Sequence, residues 1–420
     1  MDLVAEIQRQ KSINRYLAQA VAIAMQDPPV SPMKRPQPVP PPASFESQPP
    51  VSNPLPSPAQ ATPAQPAAPA QKRKLLLANY QSPGDVLMMT ATLRDLHKAY
   101  PGRFATGVTT SCDELFLHNP YVTKFTDEEN IEKLTAEYPL IHKSNTIPYH
   151  FIHGFAQFLE SHLNVRIPLT EFKGDVYITE QEKSNDILTR FKLPDHYWLV
   201  FAGGKYDFTA KWWNPAYYQE VVNHFKGRIT FVQCGESHAW PPKQGNYHFH
   251  PPLQNVVNLV GQTKNVRDLM SLIYHASGVL CPITFPMHLA AAIPVKNNYP
   301  KNRPCVVIAG GREPTQWEMY PNHRFMNTNG CIDCCDNGGC WVSRCQKIGD
   351  GDEKDRQNTC VYPVEVGPGL SVPKCMNMIK PSDVIRAIEM YYEGGVLKNH
   401  KKIGKKISIY LLKTPIIFWV

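Results

Sequence analysis

The sequence has no run of about 18 uncharged apolar residues, so no segment has the length and character of a membrane-spanning helix. It also has little surplus charge outside its C-terminus. Lys and Arg number 44 against 36 Asp and Glu, but Lys398, Lys401, Lys402, Lys405, Lys406 and Lys413 fall in the last 23 residues, a stretch without one acid. Setting those six aside from 44 leaves 38 basic against 36 acidic residues. So balanced a body lacks a surface that tracks phosphates, and nucleic acid is not an expected partner. The opening MDLVAEIQRQ has acids early and lacks the charged-then-apolar order of an export signal, so the expected setting is cytoplasmic and reducing.

What abounds is apolar residues, at 42%, enough for a real core, and proline, at 40 residues unevenly spread. Sixteen prolines fall within 27–70, which reads as an extended linker. Before it, 1–26 has one apolar stripe at helical spacing. From residue 72 short apolar runs alternate with helical patterns. KLLLANY (74–80) precedes SPGD and a helix; HYWLVFAGG (196–204), RITFVQCG (228–235), GVLCP (278–282) and PCVVIAGG (304–311) read as strands, with helices at 215–225, 266–276 and 287–293. Such alternation predicts parallel α/β sheets, two over 72–330, with a break near 170–195. The tail 398–420 turns from basic to apolar, and its 14 apolar-rich residues, broken by Lys413 and Pro415, are too short to span a bilayer.

Four segments at strand ends could carry chemistry, because ligands of open α/β sheets bind there. Asp85 opens the helix after the first strand; there it could take a proton from a hydroxyl, or simply cap the helix. Gly203 and Gly204 allow close approach of a ligand, and Lys205 and Lys211 follow in a loop that could neutralise a diphosphate leaving group or be an ordinary surface loop. In CPITFPMHLAAAIP, the helix start at Thr284, Pro286, Met287 and His288 suits phosphate, although a lone His beside an apolar helix is usually a core residue. Gly310 and Gly311 end a further strand, followed by Arg312 and Glu313.

The order of these segments resembles glycosyltransferase family 9, the bacterial heptosyltransferases and their relatives. Its G-D-x-x-x-x-T-x-x-L element is matched by GDVLMMTATL, its K-x-W-P loop by KWWNP, and its D-S-G-P-x-H-L-A-A-A element by ITFPMHLAAA; GGREP takes the place of its donor-binding loop. The resemblance covers about residues 74–325 and implies a GT-B-type α/β fold, two Rossmann-like domains facing a cleft. It also implies Asp85 as general base and Lys211 on the donor diphosphate. Gly203, Gly204, Thr284, Pro286, Met287, His288, Gly310, Gly311 and Arg312 would lie around the donor. Ile283 and Phe285 stand where the family has Asp and Gly, which leaves the donor sugar open.

Seven of eleven cysteines lie between Cys331 and Cys375. In a reducing setting such a run, opened by Cys331-x-x-Cys334, reads as thiolate ligands for zinc or iron, with reduced loop thiols as the alternative. The segment resembles the cysteine-rich finger of the autotransporter heptosyltransferases, which implies iron held by four cysteines. Cys360 and Cys375, which precedes IKPSDVI, are carried over, with two among Cys334, Cys335, Cys340 and Cys345. The role is structural, and no catalytic metal is required.

The expected partition is a short helix over 1–26, a Pro-rich linker over 27–71, an acceptor domain over 72–180 and a nucleotide-sugar donor domain over 181–330. A metal finger over 331–375, a helix over 376–397 and the tail 398–420 follow. The expected activity is inverting sugar transfer from a nucleotide-diphosphate-sugar to a glycan, lipid-linked or protein hydroxyl, at most at the periphery of the inner membrane face, in a monomer or an oligomer. Two rival readings are a catalytically degenerate sugar-nucleotide-binding or scaffold protein and a metal-finger interaction module.

Overall fold

The computed structural model describes residues 72–126, 130–138, 140–237, 248–296, 300 and 302–398. The expected N-terminal helix, the Pro-rich linker and all of the tail but Lys398 lie outside the described residues. Among those described, no helix is long and apolar enough to cross a membrane.

The first sheet has three parallel strands, β1 (Arg73–Asn79), β2 (Phe104–Thr110) and β3 (Ile131–Thr135), in the order β2-β1-β3. Leu75 and Leu77 of β1 are fully buried. Helix α1 (Pro83–Ala99) follows at once: Pro83 is tolerated in its first turn, where the amide it lacks would have no helical partner. The helix ends as the Tyr100 N–H caps the Leu96 carbonyl, just before Pro101 and Gly102. Helix α2 (Gly154–Leu163) packs across α1.

The second sheet has six parallel strands: β4 (Trp198–Val200), β5 (Phe231–Gln233), β6 (Val257–Asn258), β7 (Gly278–Pro282), β8 (Cys305–Gly310) and β9 (His323–Asn327). Their order is β6-β5-β4-β7-β8-β9. The chain starts in the middle at β4, works out to one edge, then returns to β7 and works out to the other. That reversal opens a crevice beyond the carboxyl ends of β4 and β7, where open sheets of this order bind their ligands. Every residue of β7 and β8 is buried, because both faces of the sheet are covered. Helices α4 (Val266–His275) and α5 (Phe285–Ala292) cover one face, and α3 (Pro215–His224) and α6 (Pro381–Glu393) the other.

The strand expected over 196–204 is regular only at β4. Beyond it, Gly204–Lys205 forms a two-residue antiparallel pair with His248–Phe249. The cysteine segment carries a hairpin that spacing did not announce, β10 (Pro363–Gly367) with β11 (Leu370–Pro373), leading through Lys374–Met378 into α6.

Between the sheets, residues 164–197 hold only short turns of helix, and Arg267 fastens this stretch down. From α4 its Nε and Nη2 reach the two carboxylate oxygens of Glu182 at 2.6 Å each, and its remaining protons go to the Glu114 and Tyr177 carbonyls at 3.2 and 2.7 Å and to the Met270 sulfur at 3.6 Å. One guanidinium thus joins the second sheet's helix layer, the connecting segment and the turn after β2. Burial alone would raise the Glu182 pKa, but the Arg267 guanidinium and the Thr179 amide outweigh it and hold the carboxyl at about 2, against an ordinary 4.5. A depressed carboxyl stabilises the fold above about pH 4.5 and ceases to do so as pH falls toward 2. Discounted for solvent screening of a partly exposed pair, Glu182→Gln should cost about 1 kcal/mol near neutrality, and the gap to wild type should close on acidification, as read by chemical denaturation at a series of pH values.

Candidate active site

Asp85 lies in the first turn of α1, where the positive end of the helix meets the cleft between the two sheets. The Tyr138 hydroxyl donates to its Oδ1 at 2.8 Å. Burial pushes the Asp85 pKa up, against the hydrogen bond from Tyr138 and the charge of Lys211. A carboxylate whose pKa is raised by burial is a better proton acceptor than one in water, which is what a general base needs.

Lys211 and Arg312 converge on one carboxylate. Lys211 Nζ stands 2.9 Å from Glu313 Oε1, and Arg312 Nη1 pairs with the same oxygen. The ring of Phe208 lies under both cations. Burial and the neighbouring Arg312 lower the Lys211 pKa, opposed by the negative charges of Glu318 and Asp85. Glu318, near-buried at the end of a short helix (Thr315–Glu318), has its pKa raised by burial despite Lys211 and Arg312. Asp85, Lys211, Arg312, Glu313 and Glu318 are therefore one charge cluster, gathered from α1, the loop after β4 and the loop after β8.

The remaining candidates divide. The His288 Nδ1 is 2.9 Å from the Tyr320 hydroxyl, its ring packs on Phe151, and burial keeps it neutral. Its other edge faces α1: a Cβ on Gly84 would come within 3.1 Å of His288 Cδ2, so this histidine marks where the two sheets' helices meet. Thr284 precedes α5 without capping it, Pro286 has no amide to offer, and Met287 is fully buried in the core. Ile283 is buried as well. Gly203 is required by its neighbours, since a Cβ there would fall 1.9 Å from the Phe249 carbonyl, whereas Gly204 lies beside the Trp212 ring. Gly310, at φ +62, and Gly311 make room for the cysteine finger: Cβ atoms there would meet Met376 Sδ at 2.5 Å and Cys335 Sγ at 2.7 Å.

The finger reaches both cation-bearing loops of this cluster. Its Cys345 N–H donates to Thr209 Oγ1 at 2.8 Å, its Ser343 carbonyl accepts from Ala210, and its Arg344 pairs with Asp207, all in the loop of Lys211. The Trp341 N–H donates to the Arg312 carbonyl, and the Arg312 Nε to the Val342 carbonyl at 2.6 Å. Asn145, beyond the first sheet, holds Gly339 from both sides and accepts from Trp341 Nε1 at 2.6 Å.

Within the finger, Cys334, Cys340, Cys360 and Cys375 line one small apolar cavity with Arg312 and Tyr362 at its rim. Cys335 is buried between the Thr328 and Ile332 carbonyls, and the Cys345 pKa is raised chiefly by its hydrogen bond to Cys360 and then by burial. Cys331 is exposed and lies outside that lining, so the first cysteine of the C-x-x-C pair does not join the others. Four thiols on an apolar cavity, Cys375 buried and Cys334, Cys340 and Cys360 half-buried, have the donor chemistry of a tetrahedral sulfur site. Among the described residues, the group of three metal-competent side chains whose ligand atoms all come within 4.8 Å of one another is a different one, Asp207, Asp350 and Asp352; no three of the cysteine sulfurs come that close. There the Arg344 guanidinium, with further contacts to Asp355, already supplies the positive charge.

Residues 142–321 match the family model described as glycosyltransferase family 9 (heptosyltransferase). Over that segment the chain is similar to family 9 glycosyltransferases. The matched segment includes Lys211, His288, Arg312, Glu313 and Glu318, and leaves Asp85 and the finger outside it. No curated protein matches the sequence. Solved structures similar to the chain include a family 9 glycosyltransferase from Veillonella parvula DSM 2008, at 13% identity over 62% of this chain and 88% of that one, with a TM-score of 0.44. The E. coli ADP-heptose lps heptosyltransferase II is 15% identical over 77% of this chain and 100% of its own, with a TM-score of 0.44. The iron-containing dodecameric glycosyltransferase TibC from enterotoxigenic E. coli H10407 is 16% identical over 77% of each chain, with a TM-score of 0.46. The family model bears out the resemblance read from the motifs over residues 142–321, and the two parallel sheets bear out the α/β class.

Sequence reasoning missed three residues in and around this charge cluster. Tyr138 sits in AEYP with no motif around it; Glu318 lies inside GGREPTQWEMYP, where nothing distinguishes it from a surface acid; Asn145 acts only through the fold. Gly203 offers a direct check on how crowded the end of β4 is. Gly203→Ala should lower stability by about 3 kcal/mol in thermal or chemical denaturation, because the atom it meets is backbone and cannot rotate away.

Proposed function

We propose that this chain is an inverting transferase that moves a heptose-like or other sugar from a nucleoside-diphosphate donor to a hydroxyl of a glycan, lipid-linked or protein acceptor. The observation that carries the reading is the meeting of a half-buried carboxylate, Asp85, with a cation pair, half-buried Lys211 and buried Arg312, at the crevice where the strand order reverses. Asp85 takes the proton of the acceptor hydroxyl as its oxygen bonds to the anomeric carbon. The bond from that carbon to the diphosphate breaks with its electron pair passing to the phosphate oxygen, where Lys211 and Arg312 balance the new charge. Tyr138 holds the Asp85 carboxylate for this role. Gly204 and the chain around Thr284 border the same crevice, and His288 props α5 against α1.

Four thiols among Cys334, Cys335, Cys340, Cys345, Cys360 and Cys375 would hold zinc or iron, which supplies a cross-link for the finger and takes no part in transfer. The proposed setting is cytoplasmic, at or near the inner membrane face. A second reading, a sugar-nucleotide-binding protein without turnover, is favoured by one feature: Ile283 is buried and apolar at the donor element.

The deciding experiment offers the protein ADP-, GDP- and UDP-linked sugars and scores release of nucleoside diphosphate. Release from one donor, reduced about 100-fold or more in both Asp85→Asn and Lys211→Ala, is the expected result. Stabilisation by a donor without release in the presence of any acceptor class would favour the second reading, and absence of both would exclude a transferase. For the finger, elemental analysis should find one iron or zinc per chain, lost together with thermal stability in Cys375→Ser.

A further inference from the structure

The two cations assigned to the diphosphate are already engaged. Lys211 and Arg312, from loops on different strands, meet at one oxygen of Glu313, whose side chain is only 3% exposed. The other carboxylate oxygen, Oε2, is buried with no hydrogen-bond partner. An ordinary structural ion pair satisfies both oxygens, since a buried acceptor without a donor is costly. Here the cations are arranged around a single anionic oxygen, and the rest of the carboxylate is left unsatisfied. That is the demand of a site shaped for a different oxyanion.

We propose that Glu313 is an internal stand-in for the donor diphosphate: its carboxylate holds Lys211 and Arg312 together in the empty crevice and yields them when a nucleoside diphosphate enters. This rests on the transferase reading above and extends it to how the site is kept closed and how the product leaves. Without an anion, half-buried Lys211 and buried Arg312 would repel and the loops bearing them would part. With Glu313 between them the loops stay assembled, the finger keeps its grip on both, and the crevice stays ready to bind. The incoming diphosphate offers several oxygens where Glu313 offers one. After transfer, Glu313 competes with the leaving nucleotide for the same two cations and speeds its release.

The test is binding of ADP, GDP and UDP by titration calorimetry to the full chain, wild type and Glu313→Gln, which keeps the shape and removes the charge. The expected result is about tenfold tighter binding of the preferred nucleotide by the variant, with inorganic pyrophosphate raising its melting temperature more than that of wild type. Glu313→Asp, which keeps the charge but shortens its reach, should fall between the two and covers the case in which the amide variant folds poorly. Binding by wild type that is unchanged or weakened in both variants would overturn the stand-in role and leave the transferase reading intact. Failure of all three nucleotides to bind wild type and variants alike would remove both.

Discussion

Lys211 and Arg312 lie close together in a crevice from which water is largely excluded, and in such surroundings like charges repel strongly unless an anion is fixed between them. Glu313 supplies that anion, and much of the molecule exists to keep the three in register. The strand order delivers the two loops to the same crevice: β4 ends beneath one and β8 beneath the other. Gly310 and Gly311 let the second loop bend against the finger, and the finger's backbone then receives the Arg312 guanidinium. Asp85 and Glu318, on the far side, feel the same charges, so none of these groups can change its protonation without altering the others.

The α/β alternation and the four strand-end segments were legible because they depend on local rules. A buried parallel strand must be apolar throughout, and a helix must start after a turn. Asp85, Lys211, Arg312 and His288 stand out for the same reason, each placed at a junction between a strand and a helix. What spacing could not reveal was what each glycine and histidine touches. Gly310 and Gly311, expected around the donor, border cysteines, and His288, read either as a ligand contact or as a core residue, packs against Gly84 and Tyr320. Met287 likewise lies in the core, since the helix start that exposes one face must bury the other. Tyr138 and Asn145 escaped because their partners are 53 and 194 or more residues away in the chain, and no local pattern encodes such a meeting.

The cysteines show the limits of composition in a second way. Counting and spacing place several thiols in one region, but only the fold separates the exposed Cys331 from those that share a cavity. Asp350 and Asp355 of the GDGDEKDR loop close around Arg344, a side chain of the same finger. Both clusters serve to fold a segment that has little apolar core of its own.

The finger's contacts bear on how the chain can be dissected. The finger provides the partners of the Asn145 amide, the Thr209 hydroxyl, the Gly311 and Arg312 carbonyls and the Arg312 guanidinium, groups that belong to both α/β sheets and to the loops of the crevice. Excising residues 331–375 would strand those groups together, in the very place where unmatched polarity is most expensive. The two sheets are therefore not a minimal, portable core to which a metal module has been added, and the smallest fragment that keeps the crevice whole extends through α6.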